Sequence, residues 1–233
     1  MKINVLVTGA SSGIGAACVE SWIRAGAAVI AVSRNKKKLE SFSKKFSRSQ
    51  VFPIACDVSS EIAVDKMRRV VGKHFKSLDI LINNAGAARF EPIAETLLEN
   101  WNTAIGSILT GSFLVTKAML PLLMSSKKAH IFNICSTASK KGFINCGAYS
   151  AAKFGQLGFT EVLREEMRAL NIKVTAIIPG AADTPFWDVQ ETGFDRKQML
   201  QADDIAEAVR FAYRQPKHNL VEEIILKPSC GDF

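Results

Sequence analysis

Seven short apolar runs, near positions 3–8, 27–32, 51–55, 79–83, 129–135, 172–178 and 221–226, recur along this 233-residue chain, and amphipathic helical patterns fill the gaps between them. A strand wetted on one face alternates apolar and polar residues. These runs are apolar nearly throughout, as strands buried on both faces are. Strands of that kind separated by helices predict a parallel sheet covered by helices on both sides, an α/β fold of three layers. At this length one domain, residues 1–233, holds a full core, and no repeat, low-complexity tract or linker interrupts it.

The composition, 48% hydrophobic and 22% charged, is that of a soluble globular protein. No uninterrupted apolar run approaches the roughly eighteen residues of a membrane span, and strand-like sequence begins at Ile3, leaving no room for a removable targeting segment. The expectation is a cytoplasmic protein with no membrane partner. The five cysteines, Cys18, Cys56, Cys135, Cys146 and Cys230, are odd in number and include no C-x-x-C pair. They suggest neither a disulfide framework nor a metal site, and read as reduced apolar fillers. The net charge of +8 is concentrated in Arg34, Lys36, Lys37, Lys38, Lys44, Lys45 and Arg48, with further pairs at Lys127, Lys128 and Lys140, Lys141. Only Phe42 and Phe46 interleave that first cluster, too few rings for a base-stacking platform, so it reads as a solvated helix face and no nucleic-acid partner is expected.

The first apolar run leads into Thr8-Gly9-Ala10-Ser11-Ser12-Gly13-Ile14-Gly15, and a helical pattern follows. Glycines at a strand-to-helix turn let the backbone approach a diphosphate, while the helix start offers unpaired N–H groups. A purely structural turn uses the same residues. The second run ends Val32-Ser33-Arg34. An acidic residue at this point of a dinucleotide site binds the ribose diol of NAD, and a basic one suits the 2′-phosphate of NADP. Arg34, a guanidinium fork with Ser33 beside it, favours NADP(H) over NAD(H); an exposed arginine at a strand end is the plainer account. Asp57 ends the third run, and the fourth ends Asn83-Asn84-Ala85-Gly86.

The acid–base chemistry concentrates in residues 134–153. Tyr149 and Lys153 stand four apart in a helical pattern, which stacks them on one face. An ammonium near a phenol favours the phenolate, so a tyrosine of ordinary pKa, about 10, exchanges protons nearer neutrality. Ser136 ends the fifth run, where a strand stops and exposes a hydroxyl able to hold a substrate oxygen. Taken alone, Tyr-x-x-x-Lys also occurs by chance on solvated helix faces.

Together, Thr8 to Gly15, Asn83 to Gly86, the set Ser136, Tyr149 and Lys153, and Pro179-Gly180 with Thr184 resemble the classical short-chain dehydrogenase/reductase family, in order and spacing, from Thr8 to at least Thr184. The resemblance implies a single-domain Rossmann-type three-layer sandwich with a seven-stranded parallel sheet in the order 3-2-1-4-5-6-7. It implies a catalytic set Ser136, Tyr149 and Lys153. Cofactor contacts are then expected from Gly9, Ser11, Ser12, Gly13, Ile14, Gly15, Ser33, Arg34, Asp57, Val58, Asn83, Ala85, Gly86, Tyr149, Lys153, Pro179, Gly180 and Thr184. The activity expected is an NADP(H)-dependent interconversion of a carbonyl and a secondary alcohol; the alternative is a non-catalytic NADP-binding sensor or scaffold of the same fold. That alternative is motivated by Ile108, in Ile108-Leu109-Thr110-Gly111, where the family usually has an asparagine supporting a water behind the active-site lysine. Isoleucine has no side-chain donor or acceptor for it, so the backbone holds the water, the proton leaves by another route, or catalysis is impaired. A loop around 181–201 is expected beside the nicotinamide, where Phe186 and Trp187, with Phe90 and Phe143, form an apolar substrate pocket or simply pack. The small-residue helix after Ala148 commonly joins subunits in the family, so a homodimer or homotetramer is expected.

Overall fold

In the computed structural model, which describes residues 2–190 and 193–231, seven parallel strands form one sheet. In chain order the elements are β1 (Asn4–Thr8), α1 (Gly13–Arg24), β2 (Ala28–Ser33), α2 (Lys36–Ser43), β3 (Val51–Ala55), α3 (Glu61–His74), β4 (Ile80–Asn83) and α4 (Leu98–Ala104). A π-helical segment, Ile105–Thr110, joins α4 to α5 (Gly111–Met124). Then come β5 (His130–Ile134), α6 (Gly147–Arg168), β6 (Lys173–Pro179), the short β7 (Ala182–Asp183) and β8 (Leu200–Gln201), α7 (Ala202–Arg214) and β9 (Glu223–Leu226). The order across the sheet is β3-β2-β1-β4-β5-β6-β9, so β9 is the seventh strand that the resemblance implies.

The near-continuous apolar runs have a direct cause. Successive side chains of a strand point to opposite faces, and both faces are covered. Val5 and Val7 pack with Cys18, Trp22, Ile205 and Val209 of α1 and α7. Leu6, between them, packs with Val64, Met67, Val115 and Met119 of α3 and α5. Ile80 and Ile82 against Leu81, and Val29 against Ile30, divide in the same way. Each such aliphatic side chain contributes about 1.5–3 kcal/mol when fully buried. Pro53 sits in β3, which among the described residues is an edge strand paired with β2, where its missing N–H is tolerated. Residues Leu98–Met124 run as one 27-residue helical stretch, long and apolar enough by length and composition to cross a membrane. Here Leu114, Val115, Met119 and Leu123 pack against the sheet. Four cysteines are buried as expected of fillers; Cys230 is exposed.

His130 is a polar residue at the start of a core strand, 1% exposed. Its Nε2 lies 2.8 Å from Thr175 Oγ1, whose hydroxyl donates to the Val221 carbonyl at 2.6 Å. With that proton spent, the imidazole must donate, which fixes the neutral Nε2–H tautomer. Burial accordingly pushes the His130 pKa down to about 3. The unfolded chain takes up a proton near pH 6.5 that the folded one refuses, so stability falls as pH drops below that value. Between pH 7 and 4.5 this one residue should cost about 3 kcal/mol. Urea unfolding at both pH values should show His130→Gln, which keeps an N–H donor but gains no proton, losing less stability than the wild type by about that amount; equal losses would exclude the histidine as the cause.

Candidate active site

The winding of the chain reverses between β1 and β4, and a cavity of about 1100 Å³ opens there, at the carboxyl ends of the strands. Gly9 (φ +67°) and Gly13 (φ +52°) take left-handed backbone conformations that only glycine adopts without strain. The α1 N-cap, Ser12, is extended and makes no side-chain cap, so the first-turn N–H groups of the helix remain available to an anion. That is the chemistry a dinucleotide diphosphate requires, and this end of the cavity fits such a cofactor. Gly9, Ser11, Ser12, Gly13 and Ile14 line it.

Gly15 does not line the cavity. A Cβ there would stand 2.2 Å from the Gly9 carbonyl oxygen and 2.6 Å from Asn84 Nδ2, so this glycine lets α1 pack against the loop rather than touching a ligand. Asn83 is also displaced from its expected place. It is 2% exposed and donates to Thr116 Oγ1 and Asn133 Oδ1, both at 2.9 Å, because β4 directs it into the α5 face of the sheet. Its neighbour Asn84 lines the cavity and donates to the Thr8 carbonyl at 3.0 Å.

Beyond β2, the cavity wall includes Ser33, Arg34, Asn35, Lys38, Asp57 and Val58. Ser33 Oγ is 2.8 Å from Ser11 Oγ, which ties the two strand ends together. Asn35 caps α2 through the Lys38 N–H, bringing Lys38 to the same wall as Arg34. The sequence offered a signal for Lys38, its i,i+4 spacing from Arg34, but three consecutive lysines conceal which one turns inward. Asp57 accepts from the Ser59 hydroxyl at 2.7 Å and N–H at 3.0 Å; these bonds, and the Arg34 charge, hold its carboxyl below the usual range.

At the opposite end, Ser136 follows β5 and caps a 3-10 turn, accepting the Ala138 N–H at 3.1 Å. Its hydroxyl also interacts with Tyr149, lowering the phenol's pKa. Tyr149 and Lys153 project from the first turns of α6, and all three line the cavity. The Lys153 ammonium lies 5.8 Å from the centre of the Tyr149 ring. Burial pushes Tyr149 up to about 12, against a smaller downward pull from Ser136, and lowers Lys153 to about 8. The expected fall of the phenol toward neutrality is therefore absent: desolvation outweighs the hydrogen bond from Ser136.

Lys153 Nζ donates to the Ile134 carbonyl at 2.6 Å and to Gln156 Oε1 at 2.9 Å. Gln156 Nε2 donates to Ser112 Oγ at 2.8 Å, and Ser112 donates to the Ile108 carbonyl at 2.6 Å. Ile108, in the π-helical segment, thus offers only backbone to this chain. Its side chain is fully buried with Ala88, Ala104, Ala148 and Ala152, and a Cβ on Gly86 would lie 2.9 Å from its Cγ1. Ser107 bonds Ala87 N–H and the Thr103 carbonyl. Gln156 had a helical signal in the sequence, three residues after Lys153, but reads there as one polar residue among small ones.

Ala85, Gly86, Pro179, Gly180 and Thr184 line the middle of the cavity. Phe90 and Phe186 each stand 5.5 Å from the Tyr149 ring and 5.7 Å from each other, and Trp187 is 5.7 Å from Phe90. Phe143 also lines this part, with Ile144 and Phe194. Gln190, which the sequence gave no reason to single out, fastens the arrangement. Its Oε1 accepts the Phe90 N–H at 2.9 Å, and its Nε2 donates to the Ala88 carbonyl at 2.9 Å. The loop expected around 181–201 is closed at its base by β7 pairing with β8, and Arg196 bridges Asp183 and Asp188 across it. Glu191 and Thr192 of that loop lie outside the described residues.

A family model described as short chain dehydrogenase matches residues 3–193. A sepiapterin reductase of Chlorobaculum tepidum is 33% identical over 244 residues, covering 100% of this chain and 99% of the relative. Among solved structures, a closed form of serine dehydrogenase complexed with NADP+ aligns with a TM-score of 0.91 at 29% identity, covering 99% of this chain and 97% of that one. An alcohol dehydrogenase from Thermococcus sibiricus, complexed with 5-hydroxy-NADP, aligns with a TM-score of 0.90 at 28% identity over 98% and 97% of the two chains.

Proposed function

The chain belongs to the short-chain dehydrogenase family, and from that premise we propose that it is an NADP(H)-dependent oxidoreductase interconverting a carbonyl and a secondary alcohol. The observation that carries this reading is the meeting of Ser136, Tyr149 and Lys153 at one end of a cavity whose other end offers a free helix N-terminus and the cations Arg34 and Lys38.

When bound, the nicotinamide supplies or accepts the hydride. The protein's own residues handle the oxygen and its proton. Ser136, its oxygen already engaged by Ala138 N–H, donates its O–H to the substrate oxygen and fixes it beside Tyr149. Tyr149, fully protonated at neutral pH because its pKa is about 12, gives its proton to that oxygen in the reducing direction. Lys153 holds positive charge beside the phenol and uses its remaining N–H toward the cofactor ribose. Phe90 and Phe186 flank the phenol and Trp187 packs on Phe90, so the group entering there is apolar or aromatic. Arg34 and Lys38 take the 2′-phosphate that separates NADP from NAD. The same proposal includes a cytoplasmic location and assembly as a homodimer or homotetramer through α5 and α6, which leave Phe113, Phe154 and Val162 exposed.

A panel of carbonyl compounds, sepiapterin among them, run with NADPH and NADH tests the reading. Robust turnover removes the sensor or scaffold alternative, and Tyr149→Phe should then lower kcat by roughly a hundredfold to ten-thousandfold while NADPH still binds. A Tyr149→Phe variant at near-full activity would exclude the assignment. Reduction should weaken as pH rises through about 8, where the Lys153 ammonium loses its proton; a flat profile to pH 9.5 would argue against that role. Arg34→Ala should weaken NADPH about tenfold or more and leave NADH nearly unchanged, read by cofactor fluorescence; equal losses would show that the arginine does not meet the phosphate. Light scattering at micromolar protein should give a dimer or tetramer mass, and a monomer mass would refute the assembly.

A further inference from the structure

We propose that Gln156 is a positioning residue of the active site, whose side-chain carbonyl holds the Lys153 ammonium from beneath and whose amide is itself locked by Ser112. The inference rests on the catalytic reading of Lys153 given above. A glutamine side chain has one carbonyl and one NH₂ group, and its orientation is fixed only when both are engaged. Both are engaged here. The carbonyl oxygen can only accept, and it accepts from Nζ at 2.9 Å; the NH₂ can only donate, and it donates to Ser112 Oγ at 2.8 Å. Ser112 passes its single proton to the Ile108 carbonyl at 2.6 Å, so it must be the acceptor in its contact with Gln156. Reversing the amide would set NH₂ against ammonium and oxygen against a lone pair. The chain therefore has one polarity, fixed at its far end by a backbone carbonyl.

Burial makes the contact consequential. Gln156 is 0% exposed, Ser112 3% and Lys153 5%. A cation so enclosed is costly unless acceptors replace its water, and two do: the Ile134 carbonyl and Gln156. They leave one of its three N–H donors for a ligand. Tyr149 on the same helix and Cys135 at the end of β5 are the titratable groups that face it; neither carries negative charge at neutral pH, since burial raises the pKa of both. The glutamine dipole is thus the side-chain group on which the ammonium relies. Ile108, placed where a polar side chain was expected, packs with alanines instead, and the polar contact to the lysine comes from α6, one turn beyond Lys153.

The test reads the lysine directly. In protein labelled with ¹³Cε-lysine, the Lys153 resonance, assigned by its loss in Lys153→Met, should titrate near pH 8 in the wild type. Gln156→Met, close in size but without the acceptor, should move that titration down by about one to two pH units, the equivalent of a lost hydrogen bond to an ion. Gln156→Glu should move it up. Should the methionine variant not fold, the glutamate variant decides alone. A titration that stays in place in either folded variant overturns the proposal. Because no substrate is involved, the outcome separates from that of the reaction: an active enzyme with an unmoved lysine refutes Gln156 alone, and a shifted lysine in a protein that turns over no carbonyl refutes the reaction alone.

Discussion

Two side chains, Thr8 and Asn84, hold together the place where the sheet changes direction. Parallel strands β1 and β4 are neighbours, but the connections leaving them go to opposite sides of the sheet. That parting leaves backbone polar groups with no ladder to complete. Thr8 Oγ1 accepts the N–H groups of Asn84 and Ala85, both at 3.0 Å, and Asn84 Nδ2 returns to the Thr8 carbonyl at 3.0 Å. Buried amides left unpaired would each cost about 1–3 kcal/mol. Satisfying them with short side chains keeps the crevice open above the clamp, where an added strand or a long side chain would fill it. Gly9 and Gly15 pack directly on Asn84, so the glycine loop inherits its position from this clamp.

Partial burial organises the other end of the crevice, where Tyr149 lines the cavity and Lys153 is buried behind it. Desolvation raises the pKa of Tyr149 and lowers that of Lys153, so their titrations, nearly coincident in water, move apart. The result at neutral pH is a proton-bearing phenol beside a lysine that is still mostly charged, a pairing suited to giving a proton to an oxygen. The charge on Lys153 is held in its buried place by two acceptors, the Ile134 carbonyl and the Gln156 amide, and Ser112 fixes the amide in turn. The buried amide replaces water where a cation must remain.

The parts legible in the sequence are those decided within a few neighbouring residues. Strands apolar on both faces announced the covered sheet, and a glycine turn between strand and helix announced the crevice, because backbone conformation and side-chain period are local properties. Strand order was legible only through resemblance, since no period says which runs become neighbours. Within the site, errors arise where facing decides. Asn83 and Asn84 are adjacent and chemically identical, yet a strand sends them to opposite sides, and only the second reaches the crevice. Gly15 belongs to the motif without facing a ligand, because its constraint is the approach of α1 to Gly9. Lys38 and Gln156 were hidden for a related reason. Each is an ordinary polar residue until α2 or α6 is rotated against its neighbours, and that rotation is set by distant contacts.

The π-helical segment at Ile105–Thr110 is one such distant cause. An i→i+5 turn inserts a residue into the helical period and rotates everything after it, so α4 and α5 cannot both be phased from one sequence pattern. In that segment Ile108 packs its side chain in the alanine cluster and offers its carbonyl to the Ser112 hydroxyl four residues on, while Ser107 bonds the Ala87 loop that borders the crevice. An apolar residue at 108 still leaves its backbone carbonyl as an acceptor. On the helix that forms, the same stretch supplies a backbone acceptor, which orients Ser112, which in turn orients the amide that faces the lysine.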